Sequence, residues 1–358
     1  MIQLDRHIRN TVLLSMLVVI GLIATLDLIF SLLDQFADTD ENYSMASAFA
    51  FVLLTMPTSV YELLPFAALG GALIGLGILA SSNELVVMQS AGVRVSRIVF
   101  AVLKPTLLVM VFSLLLGEYV SPPLEQLAQS NKAIQQSGTE SINSERGDWQ
   151  RIGNEFIHIN AIAPGGRELF GLSRYQVDDN RRLLSVRFAE SARYVEQASS
   201  SYWLLSNVNE SILGAGVVAT QDYLQEDWRV DLSPELLSVL LVDPDEQSIS
   251  GLYQFAHYFE AEDLDSDTYY LAFWKKLLQP LSTLALVILA ISFVFGPLRE
   301  ATMGARVFVA LAIGLVFTIL QRMMEPASLL YGFDPLLAVL MPILLCASVG
   351  FFLMRKVR

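Results

Sequence analysis

PFAALGGALIGLGILASSNELVVMQSAGV, residues 65–93, is the stretch around which the chain is organised. Its first half is apolar and carries small residues at Ala67, Gly71 and Gly75, one every four positions. On a helix that spacing lays a flat strip along one face, so that a neighbouring helix backbone can pack closely in a membrane. The second half breaks at 80–82 and restarts as a short segment, Asn83 to Gly92, with Glu84 and the apolar run Leu85–Met88. A close-packed span leading into a short cytoplasmic helix suits a permease that takes force from a soluble motor. A plain elbow between two spans gives the same pattern, and spacing alone does not separate the two readings.

Working outward, apolar runs of spanning length occur at Val12–Leu33, Phe49–Ala80 and Ile98–Tyr119, then again at Leu271–Phe295, Val307–Met323 and Leu336–Met354. Each can cross about 30 Å of hydrocarbon at ~1.5 Å per residue. The first run is too long for a signal-peptide core and no small-residue cleavage pattern follows it, so it reads as an uncleaved span. Pro57 and Pro65 are expected to bend the second. With 54% apolar residues, the composition is that of a membrane protein.

Charge divides the chain. From Ser121 to Tyr270 there are 24 acidic and 10 basic residues, a net of −14; the remaining 12 acidic and 13 basic leave +1. An acidic polar domain is therefore inserted into a nearly neutral membrane body, which argues against nucleic acid as its partner, since phosphate binding needs clustered Lys and Arg. The loop after the first span holds Asp34, Asp38, Asp40 and Glu41, and the odd-numbered gaps are acidic, whereas Arg6, Arg9, Arg94, Arg97, Arg299, Arg306, Arg355, Lys356 and Arg358 mark the even-numbered gaps and both termini. The positive-inside rule then places both ends in the cytoplasm and the large domain outside.

The resulting organisation is spans 1–3 with the short cytoplasmic segment 83–92 over 1–120, an outside domain at 121–247, a connecting interfacial helix at 248–270 and spans 4–6 at 271–358. The outside domain reads as all-β, a sandwich or jelly roll. Turn signals recur at 147–148, 153–154, 164–166, 178–180 and 199–201, and residues alternate between them. Ile157, Ile159 and Ala161 oppose His158 and Asn160; Val186, Phe188, Ala192 and Tyr194 oppose Arg187, Ser191 and Arg193.

No catalytic apparatus is legible. There is no G-x-x-x-x-G-K-[ST], H-E-x-x-H or G-x-S-x-G motif, so this chain does not hydrolyse ATP by the phosphate-loop route. His7, His158 and His257 are scattered and read as ordinary surface or packing residues, and the single cysteine, Cys346, as a small core residue; no metal site is expected. Charges inside the spans carry more meaning. Asp27 and Glu62 either line a water-filled cavity or proton path, or form local pairs near helix ends. Lys275, Lys276 and Arg322 sit at the outer ends of spans 4 and 5, where they either hold lipid phosphates or snorkel to the interface.

Taken together, the stretch 65–92, VDPDEQSISGL (242–252), WKKLLQPLS (274–282), FVFGPLR (293–299) with 303–306, and FLMRK (352–356) resemble the lipopolysaccharide export permeases, closer to the G type than the F type, over essentially the whole chain. The resemblance implies a non-enzymatic subunit of an ABC-type exporter in the inner membrane of Gram-negative bacteria, with its β-jelly-roll domain in the periplasm. Its implied partners are an LptF-type permease, an LptB-type ATPase dimer, a single-span LptC-type protein and an LptA-type bridge. By the same likeness this chain is expected to bind no cofactor, with ATP and Mg used by the partner ATPase. By likeness, Glu84 is the ion-pairing residue of a coupling helix and Leu85 and Met88 its apolar anchors, while Asp27, Ser31 and Arg322 lie near the substrate cavity and its gates. One departure matters. Where family members carry lysines at the outer ends of spans 1 and 2, this chain has Ser31, Ala37, Asp38 and Thr58. The expectation is that Lys275, Lys276 and Arg322 supply the missing charge; the alternative is a divalent cation at Asp38. Two other readings remain: a proton-coupled lipid transporter using Asp27 and Glu62, and a membrane-anchored scaffold.

Overall fold

A computed structural model describes residues 2–39, 42–136, 148–163, 166–178, 182–197, 200–213, 218–230, 232–234, 237, 243–261, 266–297 and 301–356. The chain divides into two compact units: Met1–Phe30, Met56–Pro122 and Pro244–Arg358 form one, and Ser31–Thr55 and Pro123–Asp243 the other. Among the described residues, six helical segments are long and apolar enough to cross a membrane.

The helices are α1 (Ile2–Ala37), α2 (Met45–Ser81), the short α3 (Glu84–Ser90), α4 (Val95–Leu115), α5 (Ser121–Gln136), α6 (Ile249–Ala261), α7 (Asp267–Phe295), α8 (Met303–Tyr331) and α9 (Pro335–Lys356). A π-helical turn, Leu116–Val120, joins α4 to α5. The boundary expected at 121 thus falls inside a helical run from Val95 to Gln136. Pro122 and Pro123 follow the π turn directly, so the departure from α-helical pairing falls where two residues without an N–H enter the run.

In the first unit α2 is the most enclosed span, and the small-residue strip is the reason. A Cβ built on Gly71 would lie 2.5 Å from Met16 Cα, and one on Gly75 would lie 2.9 Å from Val12 Cα. The backbones of α1 and α2 therefore touch along the strip, with Ala67 2% exposed at its end. Leu69, Leu73 and Leu76 fill the core together with Ile98, Leu286 and Ile291. At the end of α1 nearest the amino terminus, Arg97 grips Asp5 with a two-pronged guanidinium contact, 2.9 and 3.0 Å. Buried Arg306 donates from Nη1 to the Gly77 carbonyl at 2.6 Å, joining α8 to the last turns of α2.

The second unit is built on one antiparallel sheet in sequence order, β1-β2-β3-β4-β5-β6. Its strands are β1 (Asp148–Ile152), β2 (Glu155–Ile162), β3 (Glu168–Val177), β4 (Leu183–Gln197), β5 (Ser200–Leu213) and β6 (Val218–Trp228). The inserted all-β domain is as expected. Among the described residues its strand order is a meander, without the crossovers that distinguish a Greek key.

The alternation expected along the strands holds only up to a seam. The inward row Ile159, Leu172, Ala189 and Val208 is followed by the inward row Ile162, Leu169, Ala192 and Leu205, three residues away on every strand. A step of three changes the face. On the seam Gly171 has φ +63 and Asn207 φ +53, conformations that break the pleat. Asn207 Nδ2 donates to Glu190 Oε2 at 2.5 Å across it. Val186 and Phe188 therefore lie on the opposite face from Ala192 and Tyr194, correcting the single face read from the sequence. Uniform alternation misses the bulge because its cause is a backbone conformation and not a hydrophobicity.

On one side of the seam the inward face is charged. Arg174 pairs with Glu155 at 2.9 Å, Arg187 with Glu210 at 2.8 Å and with Glu226 at 3.2 Å, and the Arg174 guanidinium lies 4.7 Å from the Trp228 ring centre. In the same unit Lys132 donates to Gln35 Oε1 and Asp38 Oδ2 at 2.7 and 2.9 Å, so Asp38 already has a cation.

Candidate transport cavity and coupling surface

Three helices of the first unit, with the 3₁₀ turn Pro244–Glu246, line a cavity of about 570 Å³. From α2 come Tyr61, Glu62, Pro65 and Phe66. From α7 come Lys275, Lys276, Gln279 and Ser282, and from α8 Phe317, Thr318, Gln321, Arg322 and Glu325. Positions three or four apart on α7 and α8 share a helix face. Gln279 and Ser282 continue the face of Lys275, and Thr318 and Gln321 that of Arg322 and Glu325. That polar stripe was readable in the sequence, yet the sequence reading singled out only the three cations.

Pro65 shows why the cavity has its shape. Lacking an N–H, it leaves the carbonyl of Tyr61, one turn earlier, without its helical donor. Gln279 Nε2 supplies one at 3.0 Å, and its Oε1 accepts from the Ser113 hydroxyl at 3.4 Å. A proline in one span, repaired by an amide from another, thus fixes α2 to α7 beside the charged wall.

The three predicted cations behave differently. Lys275 sits between Asp245 and Glu325, at 2.9 and 3.0 Å. Lys276, 4% exposed, donates to the Gln247 carbonyl, and its ammonium lies 5.3 Å from the Tyr61 ring centre. Both lysines are thus held by the segment 245–247, the part of VDPDEQSISGL that the sequence matched without giving it a role. Glu118 holds the same segment from α4's side, accepting from Ile249 N at 2.7 Å and from the Ser250 hydroxyl at 2.5 Å. Arg322 is exposed and carries no hydrogen bond or ion pair to a described residue, and the same is true of Glu62. Three cations and three carboxylates line the wall, which is charge-balanced. Asp27 does not line the cavity, and Ser31 falls in the second unit.

The segment expected to couple to a motor is a helix of 7 residues, entered through Asn83 at φ 60. Glu84 accepts from the Ser82 hydroxyl at 2.9 Å and lies 2.8 Å from His7 Nε2. These two contacts hold its carboxyl below the usual range, the Ser82 hydrogen bond being the larger influence. Leu85 and Met88 point inward, 4% and 6% exposed, and join the membrane core. The outward apolar residues are their neighbours Val86 and Val87, 46% and 63% exposed. Leu85 and Met88, expected as the apolar anchors, thus face this chain's own core, and the two faces of the run 85–88 cannot be told apart without knowing which side meets the bundle.

Six spans, a charged cavity walled by three helices and an interposed β domain define a polytopic transporter component, since a passive anchor needs neither the cavity nor six spans. The chain belongs to the lipopolysaccharide export system permease LptF/LptG family, whose family model matches residues 6–356. It is 35% identical over 352 residues to the lipopolysaccharide export system permease protein LptG of Escherichia coli (strain K12), covering 98% of this chain and 96% of that relative. The corresponding LptG of Haemophilus influenzae (strain ATCC 51907 / DSM 11121 / KW20 / Rd) is 32% identical over 356 residues, 99% of each chain.

Proposed function

We propose that this chain is one of two permeases of an ABC-type lipopolysaccharide exporter in the inner membrane. It pairs with an LptF-type permease, is driven by an LptB-type ATPase dimer that uses ATP and Mg, and works with LptC-type and LptA-type proteins that carry the lipid onward. Both termini face the cytoplasm and the β domain lies in the periplasm, following the distribution of Arg and Lys.

One observation carries the mechanical part. α2 supplies Tyr61 and Glu62 to the cavity wall and ends two residues before α3, so one continuous helix joins the cavity to the coupling segment. A push on α3 moves that wall, and the Arg306 hydrogen bond to Gly77 couples the same movement to α8, which carries Arg322. The docking surface is Glu84 with Val86 and Val87. Leu85 and Met88 anchor α3 to the permease. The proton-carrier reading is less favoured, because the chain belongs to a family of lipopolysaccharide export permeases.

The test is co-purification of the ATPase with Glu84→Ala, Val87→Asp and Leu85→Ala variants in mild detergent. The first two should lose ATPase while keeping a monodisperse permease. Leu85→Ala should lower permease stability instead. Full ATPase recovery with both Glu84→Ala and Val87→Asp would remove α3 from the coupling role.

A further inference from the structure

The cavity's charges divide into those already engaged and those open to a ligand. Lys275 is shared by two carboxylates, and the buried Lys276 is fixed on a carbonyl. Freeing either lysine for a ligand would leave Asp245, Glu325 or the Gln247 carbonyl short of its donor at membrane depth, where an unmatched polar group is expensive. Glu62 and Arg322, on α2 and α8 of the same cavity, make no hydrogen bond or ion pair to a described residue, Glu62 being reached only by the longer-range fields of Lys275 and Lys276.

We propose that the cavity selects a phosphate accompanied by a cation, with Arg322 taking the phosphate and Glu62 the cation. The cation is either an amine carried by the lipid or a divalent metal ion bound to its phosphate. This rests on the cavity being the lipid site. A bare phosphate brings more negative charge than the single open guanidinium can match, and it would face Glu62 in a weakly screened space. A phosphate with a cationic companion restores the balance. The guanidinium fork suits two phosphate oxygens, and the carboxylate suits an ammonium or a metal ion.

Binding to the purified complex is measured with two synthetic probes in EDTA: a bisphosphorylated glycolipid, and the same lipid with an aminoethyl ester on one phosphate. The wild type should bind the amine form roughly tenfold more tightly, the worth of one charge-assisted hydrogen bond. Glu62→Gln should abolish that preference, while Arg322→Gln should weaken both lipids alike. Adding Mg²⁺ to the plain lipid distinguishes the sources. If its affinity rises to that of the amine form in the wild type but not in Glu62→Gln, a metal ion serves as the companion; if not, the covalent amine does. Equal wild-type affinities in EDTA, unchanged by Mg²⁺, or a preference that survives Glu62→Gln, overturn the proposal while leaving the lipid site intact. Failure of both lipids to bind overturns the lipid site, and the proposal with it.

Discussion

Replacing Gly71 with alanine tests the organising role of α2 most directly. The added Cβ would sit 2.5 Å from Met16 Cα and 2.7 Å from Met16 N. That is about 1 Å short of the ~3.5 Å at which heavy atoms make ordinary contact. The obstacle is backbone, so no rotamer change relieves it, and α1 must move bodily. Overpacking of this kind costs about 1–3 kcal/mol, against a gain of about 1 kcal/mol from alanine's better helix propensity. The net expectation is a loss of about 0–2 kcal/mol, toward the upper end because the clash is with backbone. Two further glycines calibrate it. Gly75→Ala meets Val12 Cα at 2.9 Å and should be milder, and Gly21→Ala meets nothing within 4 Å and should be neutral or slightly stabilising. The readout is the thermal loss of monodisperse protein in detergent, ranked across the three variants. If Gly71→Ala is as stable as Gly21→Ala, α1 does not pack on the strip.

Two other perturbations probe the cavity and the β domain. Gln279→Leu removes the donor that Pro65 makes necessary for the Tyr61 carbonyl, and should cost about 1–3 kcal/mol of stability in a thermal assay; a variant as stable as the wild type would show that the carbonyl is satisfied another way. His158 is 8% exposed beside the Trp149 ring, 4.8 Å between centres, and burial holds its pKa below the ordinary histidine value. Its neutral form is the one the fold favours. Its contribution is complete above about pH 6.5, where the unfolded group is neutral, and is lost as pH falls through the folded value. Hydrogen exchange of β2 in the full chain should accelerate on acidification through that window, and His158→Phe should abolish the part due to this group. An identical acid response in the variant would assign it elsewhere.

The parts of this protein legible in the sequence depend on near neighbours and on the surrounding medium. An apolar run of spanning length must be a helix in hydrocarbon, because its backbone groups have no other partners there, so six spans followed from length and composition. The small-residue strip named its own packing face. The all-β insertion followed from turn residues and alternation.

What stayed hidden depends on segments that meet only in space. Lys275 and Lys276 read as free cations because Asp245 and Gln247 lie about thirty residues earlier and Glu325 fifty residues later. Ion pairing falls off with distance through space, which sequence separation does not record. Leu85 and Met88 differ from Val86 and Val87 only in which side of a two-turn helix meets the bundle. The seam across β2 to β5 follows from positive φ at Gly171 and Asn207, a conformation held by neighbouring strands. Composition and period thus settled which segments cross the membrane and which form the sheet. Three-dimensional packing settled which charges are paired within the chain, since that is a property of distances between helices far apart in the chain.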